Sequence, residues 1–310
     1  MLAEDGYKTT NWPEYNESLR KRGEITLWFT EDAIKNWVPE KTGKRGRPIE
    51  FSDHVIETYL LLRSVFNQRL RQTQGFMRSI LKLMNLNLEV PDYSCVSKRS
   101  KQIGIEILRK AYELGSVVVV DSTGLKVYGK DEWHQEKHKV DPKRTFRRAH
   151  IAVDENHLVI ACELTTPKTG DVTAVPDLLG QIQHPFNEFI ADGAYDTLGT
   201  YQVIEEKQPG AKVIIPPGID AVSSASGDTQ RDAHIRDMEE LGRMGWQEKT
   251  AYGRRSKAEL CILRIKRIFG NTMKARELSQ QKTELGIIAS ALNRMTQCGM
   301  PVSVKVAKAA

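Results

Sequence analysis

Apolar residues recur at helical intervals in the first third of the chain. Residues 53–67 and 73–84 place apolar side chains every three or four positions, and a third helix fits the residues after Pro91. Ser52 is a good N-cap for the first of these helices. We therefore expect residues 1–110 to form a mainly α-helical region.

After Gly115 the apolar pattern becomes that of a β-sheet with helices between its strands. Val117 to Val120 form a β-branched run that is too short for a helix and typical of a strand buried on both faces. The pattern predicts further strands at residues 148–153, 158–164, 188–191 and 212–215, and helices at residues 173–182, 198–207, 231–241, 254–269 and 277–296.

The order of these elements indicates the fold class. Three successive strands, followed by alternating helices and strands, are the order of ribonuclease H-like folds, where three antiparallel strands precede parallel additions. We predict an α/β, ribonuclease H-like core with a mixed five-stranded sheet over residues 115–299. The helical region over residues 1–110 precedes it, and a flexible tail over residues 300–310 follows it.

The composition fits a globular protein without membrane segments. Hydrophobic residues make up 40% of the chain and charged residues 28%, which leaves no case for extensive disorder. The longest apolar run is far shorter than the ~20 residues that span a bilayer, and the first residues lack a signal sequence. The four cysteines include no Cys-x-x-Cys pair, so neither a zinc site nor a disulfide framework is indicated. We expect a cytoplasmic protein.

Positive charge is concentrated in the N-terminal third. The net charge is +6, but residues 41–110 alone hold fourteen Lys or Arg and only six Asp or Glu. The third helix carries Lys98, Arg99 and Lys101. Positive charge on the last of several short helices resembles a helix-turn-helix, whose final helix enters a groove of DNA. We therefore predict that these three residues bind DNA. The alternative is a helical bundle with a basic, solvated face.

A basic stretch with glycine and proline, residues 41–48, has the character of a linker. Its Arg-Gly-Arg-Pro core resembles the part of an AT-hook that enters the minor groove, which makes Arg45 and Arg47 candidate DNA contacts. Four-residue matches are common, so a plain solvated linker is the alternative interpretation.

Two aspartates directly follow predicted strands. Asp121 comes after the Val117 run and Asp192 after the strand at residues 188–191, and α/β sheets place their ligands at strand ends. Asp196 fits this pattern less well. Two carboxylates held close together repel unless a cation lies between them, and Mg²⁺ prefers carboxylate oxygens and water. A third carboxylate from a helix would complete a site for two ions, and Glu259 is our candidate.

The helix around Glu259 places four polar residues on one side. If it is continuous from Tyr252, then Tyr252, Arg255, Glu259 and Lys266 fall within a sector of about 60°. The adjoining side should pack on the sheet, and consists of Ala258, Cys261, Ile262, Ile265, Ile268 and Phe269. Taken alone, an Arg and a Glu four residues apart would be a surface ion pair.

Three sequence motifs carry a resemblance to a known family. They are Asp121-Ser-Thr, Ala-Asp192-Gly-Ala-Tyr, and Tyr252-x-x-Arg255-x-x-x-Glu259-x6-Lys266. In this order they resemble the three signature regions of bacterial insertion-sequence transposases of the DDE class. The resemblance extends from Val117 to about Pro301.

The resemblance implies a ribonuclease H-like core and a specific activity. Asp121, Asp192 and Glu259 would hold two Mg²⁺ ions, for which Mn²⁺ would substitute. The enzyme would bind the terminal inverted repeats of its own element, cleave DNA by hydrolysis and join the 3′-hydroxyl ends to target DNA. Its partner would be double-stranded DNA, bound by a homodimer because two element ends must be held together.

The resemblance also implies DNA contacts near the metal ligands. Tyr252, Arg255 and Lys266 would hold the strand beside the cleaved phosphate. The nearby stretch 137–148 contains six Lys or Arg, and we expect Arg147 and Arg148 to contact the DNA backbone there. The interval from residue 212 to residue 252 is too short for the large β-rich insertion of some relatives, so a hairpin mechanism stays open.

Two other classes of protein remain as alternatives. A ribonuclease H-like nuclease or resolvase shares the carboxylate triad but need not carry the Tyr-Arg-Glu-Lys pattern. A non-catalytic DNA binder or repressor does not need three intact carboxylates. DNA cutting without joined products would favour the nuclease, and absence of cutting would favour the repressor.

The basic third helix makes a testable prediction. Lys98→Ala and Arg99→Ala should each weaken binding to the DNA that flanks the coding sequence, and should reduce its logarithmic salt dependence by about one phosphate contact. Binding measured across a salt series checks this. Metal-dependent nicking of generic DNA is the control and should persist. Unchanged affinity in both variants would contradict the helix-turn-helix interpretation.

Overall fold

The computed structural model describes residues 6–39, 49–105, 116–127, 146–225 and 227–306. The chain forms two compact units, one of residues 1–96 with 291–310 and one of residues 97–290. The predicted linker at residues 41–48, with Arg45 and Arg47, lies outside the described residues.

Short helices form most of the N-terminal unit. They are α1 (Trp12–Lys21), α2 (Ile25–Trp28), α3 (Glu31–Lys35), α4 (Asp53–Val65) and α5 (Leu70–Leu83), followed at the unit boundary by α6 (Tyr93–Arg99). The Ser52 hydroxyl accepts the Val55 N–H at 3.3 Å, so the predicted N-cap of α4 is confirmed. Trp28, Trp37 and Tyr59 are buried in the core of this unit.

The second unit is built on a mixed sheet. Its strands are β2 (Val117–Val127), β3 (Phe146–Val153), β4 (Val159–Thr165), β5 (Glu188–Ile190), β6 (Lys212–Ile214) and β7 (Thr272–Met273). The strand order is β4-β3-β2-β5-β6, and β7 pairs with β2. The β2–β3 and β3–β4 pairs are antiparallel, whereas β5, β6 and β7 are added in parallel. The five predicted strands are present, and β7 is a sixth that the sequence pattern did not indicate.

Helices cover both faces of this sheet. They are α7 (Val175–Gln181), α8 (Leu198–Lys207), α9 (Gln230–Thr250) and α10 (Ser256–Phe269), with α11 (Leu278–Gln297) completing the described helices. On one face, α7 and α8 bury a cluster that includes Val118, Val120 and Phe189. On the other face, α10 packs against β2 and β3. No helix in the described ranges is long and apolar enough to cross a bilayer.

Helix α9 is longer than the sequence pattern predicts. We expected a short helix at residues 231–241 within an irregular stretch. Gly242 has a φ of 68° and interrupts the helix there, but the chain returns to helical geometry and continues to Thr250. A positive φ carries no steric penalty at glycine, so the glycine permits a kink instead of ending the element.

The predicted flexible tail contains a strand. Strand β8 (Ser303–Val306) pairs antiparallel with β1 (Gly6–Thr9), with Gly6 opposite Val306 and Thr9 opposite Ser303. The Thr10 N–H also donates to the Val302 carbonyl at 2.8 Å. The expectation of a loose tail was wrong for these residues because their partner strand lies at the opposite end of the sequence.

Phe189 tests how much the core contributes to stability. Its side chain is fully buried on β5 within the α7–α8 cluster. Phe189→Ala should lower the free energy of unfolding by about 3–5 kcal/mol, because both apolar burial and packing are lost. Denaturant unfolding measures this. Leu263→Ala, at a half-exposed position of α10, is the control and should change stability by less than about 0.5 kcal/mol. Equal effects would contradict the assignment of this core.

Candidate active site

Asp121 lies within strand β2 and not at its end. The strand continues to Val127, because residues 119–126 pair with β3 and residues 126–127 with β7. The sequence-based placement of Asp121 at a strand end was therefore wrong. Since side chains alternate along a strand, Asp121 points to the same face as Val119, which is the face covered by α10. Its Oδ1 accepts the Ser122 N–H at 2.9 Å.

Asp192 follows β5 by two residues and caps a turn of 3-10 helix, Gly193–Tyr195. Its Oδ1 accepts the Ala194 N–H at 3.0 Å, which fixes the carboxylate at the start of the turn. A Cβ on Gly193 would lie 3.3 Å from the Pro216 carbonyl, so a side chain there would crowd the turn. The local sequence is therefore suited to holding Asp192 in place.

The register of the sheet brings the two aspartates together. In the parallel β2–β5 pair, Val119 lies opposite Ile190. Asp121 lies two residues after Val119, and Asp192 lies two residues after Ile190. The two aspartates are therefore neighbours where β5 ends beside β2. Strand pairing thus explains why residues far apart in sequence reach one site.

Glu259 enters the site from α10. The condition that the helix be continuous from Tyr252 is not met, because a turn of 3-10 helix covers Tyr252–Arg255 and α10 begins at Ser256. Glu259 is in the first turn of α10, and its side chain is about half exposed. The buried side of α10 includes the predicted Ala258, Cys261, Ile262 and Ile265, whereas Ile268 is 41% exposed.

Arg255 links two of the three carboxylates. Its Nη1 lies 3.6 Å from Oδ2 of Asp121, and its Nη2 donates to Oε1 of Glu259. An isolated Arg and Glu four residues apart would form only a surface ion pair. Here Arg255 pairs with Glu259 and also contacts the less exposed Asp121 on β2. The guanidinium places positive charge between the Asp121 and Glu259 carboxylates.

Burial and neighbouring carboxylates act on both aspartates. Burial raises the pKa of Asp121, the Asp192 and Glu259 carboxylates raise it further, and the Ser122 N–H and Arg255 oppose the rise. Burial also raises the pKa of Asp192, with Asp171 adding to the effect and the Ala194 N–H, Arg255 and Arg148 opposing it. Each negative charge therefore has a cost in the folded protein that a cation would reduce.

The donor chemistry fits a hard divalent ion. All three candidate ligands are carboxylates, and carboxylate oxygens suit Mg²⁺. Within the described ranges, no three His, Cys, Asp or Glu side chains are grouped closely enough to hold a metal ion. Asp121 and Glu259 instead share Arg255. Seating an ion there requires the carboxylates to close up and Arg255 to adjust.

Tyr252 and Lys266 differ in their surroundings. The Tyr252 side chain is only 8% exposed, its ring packs on Trp246 with centroids 5.1 Å apart, and Arg255 lies 5.8 Å above it. Burial raises the pKa of Tyr252 to about 12. Lys266 is half-buried on α10, two turns beyond Glu259, or roughly 10 Å along the helix axis.

Several predicted DNA contacts are engaged within the protein. Arg148 Nη1 lies 2.9 Å from Oδ2 of Asp171, and Arg147 Nε donates to Gln281 at 2.9 Å. Lys101 pairs with Glu277 at 2.7 Å. Lys98 and Arg99 lie on α6, as predicted, but α6 ends at Arg99, so Lys101 is not on the helix. Arg99 also has a partner within the protein.

Sequence reasoning assigned no role to three residues beside the site, namely the buried His150 and Tyr195 and the partly buried Asp171. Tyr195 and His150 are completely buried, and Asp171 affects the pKa of Asp192. The available signal was a polar residue inside an apolar strand, since His150 stands between Ala149 and Ile151. Asp196, the weaker alternative to Asp192, is held by Arg231 through contacts of 2.8 and 2.9 Å.

Two sequence comparisons bear on this arrangement. A family model described as "Transposase DDE domain" matches residues 113–294, which is more than half of the chain. The chain belongs to the DDE transposase family. A second model of the same description matches residues 20–130 of this transposase. DDE transposases use divalent metal ions, in agreement with the carboxylate chemistry of the site.

Three solved structures with detectable similarity are those of transposases. A piggyBac transposase synaptic complex with hairpin DNA is 10% identical over 94% of this chain and 78% of that chain, with a TM-score of 0.37. The Drosophila P element transposase strand transfer complex is 11% identical over 91% and 85%, with a TM-score of 0.30. The Mos1 transposase paired-end complex is 12% identical over 84% and 82%, with a TM-score of 0.24. These scores are low, so the family assignment depends on the sequence matches.

The raised pKa of Asp121 predicts a pH-dependent effect on stability. Because the folded state disfavours the charged carboxylate, its cost appears as the pH rises through the raised pKa. Asp121→Asn should raise the Tm of the metal-free transposase by a few degrees at neutral pH. The difference should vanish near pH ~3, where the aspartate itself is protonated.

Thermal unfolding in EDTA across a pH series measures this effect. Asp177→Asn is the matched control, because Asp177 is an exposed carboxylate on α7, and its Tm should follow the wild type. An Asp121→Asn variant that is less stable than the wild type at neutral pH would contradict the electrostatic account.

Proposed function

We propose that this DDE transposase is encoded by a bacterial insertion sequence and that it cuts and joins DNA at the site around Arg255. The observation that supports this most is that Arg255 contacts both Asp121 on β2 and Glu259 on α10, while the β2–β5 register places Asp192 beside Asp121. Tyr252, Arg255 and Lys266 follow the Tyr-Arg-Glu-Lys pattern of such enzymes. We also propose a ribonuclease H-like core, a helical DNA-binding region and cytoplasmic localisation.

The three carboxylates would hold two Mg²⁺ ions, with Mn²⁺ as a substitute. When bound, such ions lower the pKa of water and stabilise developing negative charge on phosphate oxygens. Asp121 and Asp192 would bind them as carboxylates, and the positive charge would offset the cost that burial places on both negative charges. Glu259 is half exposed and in the first turn of α10, where it can turn toward the aspartates.

The reaction has two phosphoryl-transfer steps. In the first, water attacks a phosphodiester in line, and the 3′-oxygen leaves and takes up a proton. In the second, this 3′-hydroxyl loses its proton and attacks a target phosphodiester, which releases a new 3′-hydroxyl. The number of phosphodiester bonds is unchanged in the second step, so no external energy source is needed. No covalent bond to the protein is required.

The surrounding residues would bind the DNA. Arg255 offers a planar donor that can move from the carboxylates to a phosphate, and Lys266 offers a point charge along the same helix. The Tyr252 ring supports Arg255 from below. Terminal inverted repeats would be bound by Lys98 and Arg99 on α6, with Arg45 and Arg47 in the basic segment outside the described residues. A homodimer would hold the two ends.

A plasmid assay tests the proposed chemistry. The purified protein with Mg²⁺ or Mn²⁺ should cut a supercoiled plasmid that carries the coding sequence with its flanking DNA, and should join the released ends to a second plasmid. Asp192→Asn should reduce both products at least 100-fold, because a ligand is lost. Asp177→Asn should leave both unchanged. Undiminished cutting by Asp192→Asn would refute the site.

The same assay separates the alternatives. Cut ends without joined products would support a nuclease that shares the carboxylate triad. Binding of flanking DNA without any cutting in either metal would support a non-catalytic DNA binder. Gel analysis of the products with labelled 3′ and 5′ ends distinguishes these outcomes.

A further inference from the structure

A chain of buried polar side chains lies on the face of the sheet opposite to Asp121. Along β2, Asp121 points toward α10, so its neighbour Ser122 points toward α7 and α8. Ser122 is directly opposite His150 in the β2–β3 register. On this face Tyr195 is completely buried, and its hydroxyl hydrogen-bonds the Ser122 side chain. The Tyr195 hydroxyl also lies 3.5 Å from Nδ1 of His150.

His150 is held from its other side as well. Its Nε2 lies 2.9 Å from the Thr165 hydroxyl, which in turn donates to the Arg148 carbonyl at 3.5 Å. Burial lowers the pKa of His150, so the ring is neutral at physiological pH and carries one N–H. If Nε2 carries that proton, the hydroxyls of Ser122, Tyr195 and Thr165 and the imidazole each find a partner.

Asp171 gives this chain a charged end. Its Oδ2 pairs with Arg148, and its Oδ1 is buried 3.4 Å from Nδ1 of His150. This Oδ1 makes no hydrogen bond of good geometry within the described residues. Nδ1 of His150 thus lies at similar distances from the Asp171 carboxylate and the Tyr195 hydroxyl.

Tyr195 connects this chain to the site. It is the last residue of the 3-10 turn that Asp192 caps, so the turn is held at one end by the Asp192–Ala194 hydrogen bond and at the other by the tyrosine. The same hydroxyl also contacts Ser122, which is the residue next to Asp121. One hydroxyl therefore bridges the two segments that supply the aspartates.

We propose that the Tyr195 hydroxyl is a positioning group that sets the separation of Asp121 and Asp192, and that His150 holds this hydroxyl from β3. The inference rests on the proposed function, since it concerns the two aspartates as ligands of divalent ions. Groups that orient metal ligands usually change metal affinity or activity by about 10–100-fold when removed. Tyr195 itself touches neither metal nor DNA in this role.

The chain offers a matched control for the loss of a tyrosine hydroxyl. Tyr201 on α8 packs against the same core cluster, and its hydroxyl is buried without a hydrogen-bond partner in the part of the chain that the structure describes. Tyr195→Phe and Tyr201→Phe therefore remove the same atom from the same core. Only the first removes a bridge between the aspartate segments.

Electron paramagnetic resonance of Mn²⁺ titrated into the DNA-free protein provides the first measurement. Tyr195→Phe should weaken Mn²⁺ binding about 10-fold, and Tyr201→Phe should match the wild type. In the plasmid assay, Tyr195→Phe should need about 10-fold more Mn²⁺ for half-maximal cutting, and should recover most of its rate at saturating Mn²⁺. Its DNA affinity in EDTA should be unchanged.

Substitutions of His150 provide a second measurement. Asn places its amide near the position of Nδ1, whereas Gln places it near that of Nε2. His150→Asn should therefore retain more Mn²⁺ affinity than His150→Gln, because it can still contact the Tyr195 hydroxyl. The reverse order would overturn the proposed contact.

The outcomes separate this inference from the proposed function. If the wild type binds Mn²⁺ and cuts, and Asp192→Asn loses both, the function stands. If Tyr195→Phe and Tyr201→Phe then have the same Mn²⁺ affinity, whether unchanged or equally weakened, only the positioning role is refuted. A wild type that neither binds Mn²⁺ nor cuts would refute both.

Discussion

Arg255 lies among carboxylates whose negative charges would otherwise be confined together beside a sheet. The sheet itself creates this situation, because the β2–β5 register places Asp121 next to Asp192, and burial then removes the water that would screen them. A guanidinium is large, planar and permanently charged, so it can contact Asp121 and Glu259 at once. The charge balance of the site thus depends on one residue at the junction of a 3-10 turn and α10.

Strand β2 serves two sets of interactions by the alternation of its side chains. Asp121 faces α10 and Arg255, whereas Ser122 faces Tyr195 and His150. A shift of one residue in register would exchange these faces and bury the carboxylate in the α7–α8 cluster. The pairing of β2 with β3 over eight residues fixes this register, and so keeps Asp121 on the face of the sheet that α10 covers.

Local patterns predicted much of this architecture. Helix α8 has the predicted bounds, because the signals that begin and end it are local. The Thr197 side chain caps its first turn, and the sequence from Leu198 to Lys207 has the helical pattern. The extension of β2 past Asp121 was not predictable in this way, since it depends on pairing with β3 and with the distant β7. The internal pairing of Arg148 with Asp171 was missed for the same reason. A basic residue in a sequence gives its charge but not its partner.

The pairing of β1 with β8 has a consequence for synthesis of the chain. Residues near both ends belong to one unit, where Arg22 donates to the Gly299 carbonyl at 2.7 Å and Arg294 donates to the Leu27 carbonyl at 3.0 Å. At about 5–20 residues per second, the ribosome needs roughly 15–60 s between making β1 and making its partner strand. During that time the edge of β1 lacks this partner, while the sheet-based unit can fold as it emerges. Strand β1 therefore stays without its partner until β8 has been translated.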